Sequence, residues 1–186
     1  KIEDCYGILD FINFWKGFYA YGRKEKYIRI HIKELEKEDL IALYEWKNGM
    51  DNLSGKKQKS LEGKILCKID LINELRRSEK FDLEAFLNEF KSVSVVWKIF
   101  LLHIVKPNNY PIYDQHVHRA YQYMNDKDFD KIRSSMSEKK KLNFYLYEYL
   151  PFVNRMEIKN LKEMDEAFFA FGQFLNINNQ KELMQL

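Results

Sequence analysis

Three features predict an all-helical fold for this chain. Its 186 residues hold only three prolines and seven glycines, so long stretches run without a helix breaker. Apolar residues recur three and four apart, and almost nowhere in strict alternation. Hydrophobic residues make up 46% and aromatics 16%, enough for a packed core rather than a disordered chain. At this length residues 1–186 are expected to form one domain around one core.

Between Cys5 and Tyr21, the residues Ile8, Phe11, Ile12, Trp15, Phe18 and Tyr19 form a stripe at helical spacing. Tyr27, Ile28, Ile30 and Ile32, within Lys24–Lys33, read as a short strand or an irregular connection. Glu36 to Trp46 reads as a helix stopped by Asn48-Gly49. Lys56 to Arg77 reads as one long helix, with an interruption near Gly63. Phe81-Asp82-Leu83-Glu84 opens another, leading to a turn at Ser92. Val93, Val96, Trp97, Phe100, Leu101 and Ile104 then share one helical face. Val95, Ile99 and Leu102 fill the other side, so this helix is expected to be buried nearly all round. A helix after Asp114 runs to Met124 and gives way to a polar link from Asn125 to Asp130. Lys139 to Tyr149 follows as a helix stopped by Pro151. The last long helix spans Leu161 to Leu175, with Met164, Phe168, Phe171 and Leu175 on one side. No internal repeat is present.

The stretch from Tyr110 to Arg119 carries the chemistry. Pro111 forces Tyr110 into an extended conformation and ends the preceding element. Asp114 stands where a new helix begins, placed to accept that helix's orphan N–H groups. The positive end of the helix dipole favours its ionised form. Such a carboxylate can stabilise a developing cation or orient a water, and it can equally be no more than a cap.

The small-residue turn at Ser92-Val93-Ser94, the buried helix, the proline-containing link and Asp114-x-His116-Val117-x-Arg119 follow one another in a fixed order. That unit, from Phe90 to Tyr121, resembles the core of the helix-hairpin-helix (HhH-GPD) DNA glycosylase superfamily. The resemblance implies an all-α, two-lobed domain with a cleft between the lobes. N- and C-terminal helices would form one lobe and the hairpin would belong to the other, with hairpin and catalytic segment at about residues 87–124. Ser92, Val93 and Ser94 match the family's Gly-Val-Gly hairpin, whose N–H groups grip a DNA phosphate, with Lys91 beside them. Asp114 matches the catalytic aspartate without a gap. The implied partner is double-stranded DNA with a modified base flipped out of the stack.

The sequence also departs from the family. Serines replace both hairpin glycines, which makes the tight turn harder and implies a weaker or rearranged grip on DNA. Val96 occupies the position of the lysine nucleophile that some members carry, which implies a monofunctional enzyme. A two-residue register shift would bring Lys98 there instead. Lys98 is the only ionisable residue between Lys91 and His103, and a buried lysine is one route to a nucleophilic amine. It can also reach the surface or pair with a carboxylate. His103 reads as a hydrogen-bonded core histidine or a lining residue of the base pocket. The cysteines of an iron–sulfur cluster are absent, and neither metal nor other cofactor is implied.

Tyr113, Tyr110, Trp15 and Trp46 are candidates to stack a flipped base, and each also fits a core position. Lys56, Lys57 and Lys59, and separately Lys139, Lys140 and Lys141, can neutralise phosphates or form solvated helix faces. The net charge of +3 does not itself point to nucleic acid. His116 reads as making a helix-capping hydrogen bond rather than as an acid catalyst, Arg119 as a partner for a carboxylate, and the segment around Met164–Gly172 as packing. Cys5 and Cys67 are expected to be small buried side chains in a reducing compartment. With no secretory signal and no spanning segment, a cytoplasmic monomer without membrane contact is expected. The activity that the family resemblance implies is hydrolysis of the N-glycosidic bond of a damaged or modified base. The alternatives are a non-catalytic DNA-binding module on the same fold and a defence enzyme acting on modified foreign DNA.

Overall fold

The computed structural model describes residues 7–125, 127, 132 and 136–177. Among them the regular structure is helical throughout, with no strand. Contacts divide the chain into two compact units. One comprises Lys1–Ala20 with Pro107–Leu186, and the other comprises Tyr21–Lys106.

In the first unit, α1 (Ile8–Trp15) packs on α11 (Leu161–Ile177), and α11 packs along α8 (Gln115–Met124). The α1 stripe is the predicted one: Phe11, Ile12 and Trp15 are buried. Phe11 meets Phe168 and Phe171 edge-on, and Trp15 lies against Phe171 and Phe174. Lys16 closes on Glu163 at 2.6 Å, tying the N-terminal segment to α11. Met164, Phe168, Phe171 and Leu175 form the buried face of α11.

Pro151 does not stop the helix before it, contrary to the sequence expectation. α9 (Glu138–Phe144) widens into a π-helical stretch, Tyr145–Tyr149, and continues as α10 (Leu150–Arg155) with Pro151 in its first turn. The Leu150 N–H bonds to Tyr145 O, five residues back. Proline donates no hydrogen bond, and the looser winding carries the chain past it.

In the second unit, α3 (Lys37–Lys47) begins with a reciprocal Glu36–Asp39 capping box. It ends as predicted, with Gly49 in the left-handed region at φ 63°. The Gly49 N–H bonds Trp46 O, and the Met50 N–H bonds Glu45 O, the paired pattern that suits glycine there. Residues 24–33 form no strand. α2 (Lys24–Tyr27) leads into a single 3₁₀ turn at Ile28–His31. Ile30 is buried while Ile28 and Ile32 are exposed, so their alternation marks no common face. The Arg76 guanidinium takes the carbonyls of Ile30 and Ile32, satisfying them without a ladder. The long helix expected over Lys56–Arg77 is broken just beyond Gly63. α4 (Gly55–Lys64) and α5 (Ile69–Arg77) flank a short 3₁₀ turn, which lets Ile65 and Leu66 both turn inward.

α6 (Leu83–Glu89) is capped by Asp82, whose Oδ1 accepts the Ala85 N–H at 3.0 Å. It turns through residues 90–94 into α7 (Val95–Val105), where only Val96 and Trp97 escape full burial. The Tyr44 hydroxyl donates to Trp97 O, fixing α3 on α7. No described helix is long and apolar enough to cross a membrane. Cys67 is exposed rather than buried, because it lies on the outer side of the 3₁₀ turn whose inner side holds Leu66. Cys5 lies outside the described residues, as does most of the link from Asn125 to Asp130.

Candidate functional site

Asp114 is the N-cap of α8: its backbone is extended, and its Oδ1 accepts the His116 N–H at 2.8 Å. The carboxylate is half-buried, flanked by buried Tyr113 and half-buried Gln115. A carboxylate so placed keeps one oxygen oriented by the helix while the group stays partly accessible.

The segment bearing Asp114 is held from beneath. The Ile112 N–H donates to Asp165 Oδ2 at 2.8 Å, a fully buried bond. The Tyr145 hydroxyl donates to Pro111 O at 2.9 Å, also buried. Burial raises the Tyr145 and Tyr149 hydroxyls well above the usual phenol range, and the negative charge of Asp165 adds to it. Both phenols therefore stay protonated around a buried carboxylate. On the other side of Asp114, α11 crosses the start of α8 at Gly172. A Cβ there would fall 1.9 Å from His116 O, so only glycine allows this approach.

Two further networks run along α8. Arg119 Nη1 donates to His116 Nδ1 at 3.1 Å, and Nη2 donates to Ile132 O at 2.9 Å. Arg119 thus grips a ring and a carbonyl; burial lowers its pKa, and the charge of Asp114 opposes that shift. The His116 ring rests edge-on against Phe169, and its backbone N–H makes the capping hydrogen bond to Asp114. His118 stacks on Phe144 with ring centroids 3.4 Å apart. With the Gln122 amide nitrogen donating to His118 Nε2 at 3.2 Å, Nδ1 carries the proton and faces Tyr113 Oη at 3.1 Å. Burial, helped by Arg119 and Lys127, pushes the His118 pKa down to about 3, so the ring is neutral. Burial likewise raises the Tyr113 hydroxyl, with Asp114 and Glu138 adding to it.

The hairpin candidates lie in the second unit. Val93 is buried and Lys91, Ser92 and Ser94 are exposed. The Val93 N–H bonds Phe90 O at 3.0 Å, and the Lys98 N–H bonds Ser94 O at 2.8 Å. Among the described residues only Arg23, Gly49 and Glu157 have left-handed backbone. Residues 90–94 therefore turn without it, and serine makes this turn without strain. The first turn of α7 holds no acidic side chain, and the Ser94 hydroxyl makes no cap bond. Lys64 Nζ donates to Ser92 O at 2.8 Å, and Lys68 Nζ reaches Glu89 O and its carboxylate. Lys56 and Lys59 are exposed near the start of α4, with Lys57 bonded to Asn48 Oδ1 at 2.7 Å. Eight residues of helix, about 12 Å, separate Lys56 from Lys64.

Lys98 is 6% exposed on α7 and does not reach the surface. His103 is buried and its Nε2 meets the Tyr27 hydroxyl at 2.8 Å. Trp46 packs against Tyr21, Tyr27 and Phe100, while Trp15 belongs to the aromatic cluster of α1 and α11. Tyr110 is half-buried beside Pro111. The first unit thus gathers Tyr110, Tyr113 and Asp114 in one short segment, with Trp15 in the core of the same unit. Hairpin, Lys98, Trp46, His103 and the α4 lysines share the second. Lys139 and Lys140 are exposed, and Lys141 pairs with Glu138 within α9. Among the described residues, no three His, Cys, Asp or Glu side chains gather as a metal site would need.

No protein-family model, no curated protein and no solved structure matches the chain. Asp165, Tyr145 and Gly172 are the residues that sequence reasoning missed. The one signal for Asp165 was its register: unlike its neighbours Glu163 and Glu166, it falls four residues after Leu161 and three before Phe168, on the apolar face of the helix.

Proposed function

We propose that the protein is a monofunctional DNA glycosylase that hydrolyses the N-glycosidic bond of a damaged or modified base, with Asp114 as its catalytic carboxylate. The fold in this reading is the two-lobed helix-hairpin-helix glycosylase type. The single observation that carries it is Asp114 itself: a half-buried carboxylate at the start of α8, on a segment pinned two residues upstream and two residues downstream. A mere cap needs no such anchoring, whereas a catalytic group must be held in place.

Two further features support the reading. α6, the turn at 90–94 and α7 form a helix, a short hairpin and a second helix, with Lys64 and Lys91 beside the turn. The N-terminal segment shares a unit with the C-terminal helices, and the hairpin falls in the other unit, the division the family resemblance implies. In the reaction, the C1′–N bond breaks with its electron pair leaving on the base. Water adds its oxygen to C1′, one proton of the water is lost, and the departing base takes up a proton. Asp114 stabilises the oxocarbenium-like sugar and orients the water, and charge stabilisation of this kind is commonly the largest catalytic contribution. Lys98 enters this scheme only if a Schiff base forms.

A non-catalytic DNA-binding module is the second reading, resting on Ser92 and Ser94 in place of glycines and on Val96 at the lysine position. A defence role would use the same carboxylate on modified foreign DNA. Base release from duplexes carrying a panel of modified bases, wild type beside Asp114→Asn, tests the proposal. An enzyme loses turnover in the variant and keeps DNA affinity, while a pure binder releases no base in either form.

A further inference from the structure

We propose that Asp165 is the positioning residue for Asp114, an assignment whose kinetic arm rests on the glycosylase reading and whose structural arm does not. α11 touches the Asp114 segment at two points. Asp165 takes the Ile112 N–H two residues before Asp114, and Gly172 receives the His116 carbonyl two residues after it. Asp165 and Gly172 are seven residues apart, two helical turns, and so lie on one face of α11.

Packing alone does not call for an acid at this place. Asp165 is 4% exposed, between Met164 and the fully buried Phe168, and an unpaired carboxylate would be costly there. What the carboxylate adds is a charge-assisted bond to a main-chain N–H, stronger than a neutral acceptor would give. Pro111 has no N–H of its own, so Ile112 offers the first main-chain donor after it. Tyr145 holds the Pro111 carbonyl from the same side. Asp165 thereby fixes where the chain enters the cap, and Gly172 fixes where it leaves. Asp165 never touches the reacting atoms in this scheme; it acts through Asp114.

The test compares wild type, Asp165→Leu and Asp165→Asn. Amide hydrogen exchange is read residue by residue, and base release is measured under single-turnover conditions across DNA concentrations. Local opening predicts that Asp165→Leu speeds exchange at Ile112 and His116 by about tenfold or more beyond any change in α1 and α10. A misplaced carboxylate predicts a fall of about 10–100-fold in the rate at saturating DNA, with half-saturation unchanged. Asparagine, which keeps an acceptor oxygen but not the charge, recovers part of both. Should the leucine variant fail to fold, Asp165→Ser takes its place in the same measurements. Exchange that stays at wild-type rates at His116, or that rises equally throughout the unit, overturns the assignment. If wild type itself releases no base, the glycosylase reading fails, and the exchange arm still decides the role of Asp165.

Discussion

Gly172 on α11 and His116 on α8 meet backbone to backbone, so closely that a Cβ at 172 would stand 1.9 Å from the His116 carbonyl oxygen and 2.4 Å from its carbon. Neither atom belongs to a flexible side chain that could swing away. The first turn of α8, and with it the cap that holds Asp114, is therefore set by the absence of a side chain on α11, with α9 and α10 intervening in sequence.

Gly172→Ala consequently destabilises the protein, although alanine is the better helix former by about 1 kcal/mol. Overpacking a tight contact costs about 1–3 kcal/mol, and a clash with main chain belongs at the upper end. Chemical denaturation should show a lower midpoint for the variant. An unchanged or higher midpoint would mean that the two helices separate easily.

His118 makes stability depend on pH. Its folded pKa of about 3 lies below the ordinary histidine value of 6.5, so between those limits the unfolded chain binds the extra proton. Stability from this site is therefore full above pH 6.5 and declines as pH falls toward 3, by at most about 1.4 kcal/mol per pH unit. Replacing His118 with Gln should flatten that part of the stability profile. NMR titration of the ring should show no protonation near pH 6, and a midpoint there would refute the buried neutral ring.

On the glycosylase proposal, DNA affinity depends on Lys64. Its ammonium sits on the hairpin carbonyl of Ser92, beside the start of α7. Losing one phosphate contact lowers the slope of log K against log salt by about 0.9. Lys64→Ala should show that change more fully than Lys56→Ala, because Lys56 lies at the opposite end of α4. Equal slopes for wild type and Lys64→Ala would remove the hairpin from the DNA interface.

Borohydride should trap no covalent complex between wild type and substrate DNA, and strands should break only after alkali. Trapping that disappears in Lys98→Met would instead make that buried lysine a nucleophile.

Much of this was legible in the sequence where local rules decide. The cap at Asp114, the helix start near Asp82, the Asn48-Gly49 stop and the buried faces of α7 and α11 follow from side chains acting on their own helix. Ile28, Ile30 and Ile32 misled because alternation implies a strand only when a second strand exists to take the carbonyls. Arg76, more than forty positions away, takes two of them instead. Pro151 misled because its missing N–H is tolerated in a widened helix. The candidate site was half legible. Asp114 announces itself by its position after Pro111, but the bond from Ile112 to Asp165 spans 53 residues. No periodicity carries information over that separation. Ser92 and Ser94 cost the turn no strain, because residues 90–94 have no left-handed backbone to accommodate.

The most direct test of the central claim is base release by wild type and Asp114→Asn on the same panel of modified duplexes. Asparagine caps a helix about as well as aspartate, so the fold is retained while the charge is lost. The expected result is abasic sites from wild type, a fall of about 100–1,000-fold or more in the variant, and DNA affinity unchanged between them. Equal release by both forms would contradict the assignment of Asp114, and DNA binding without release on any duplex would favour the binding module.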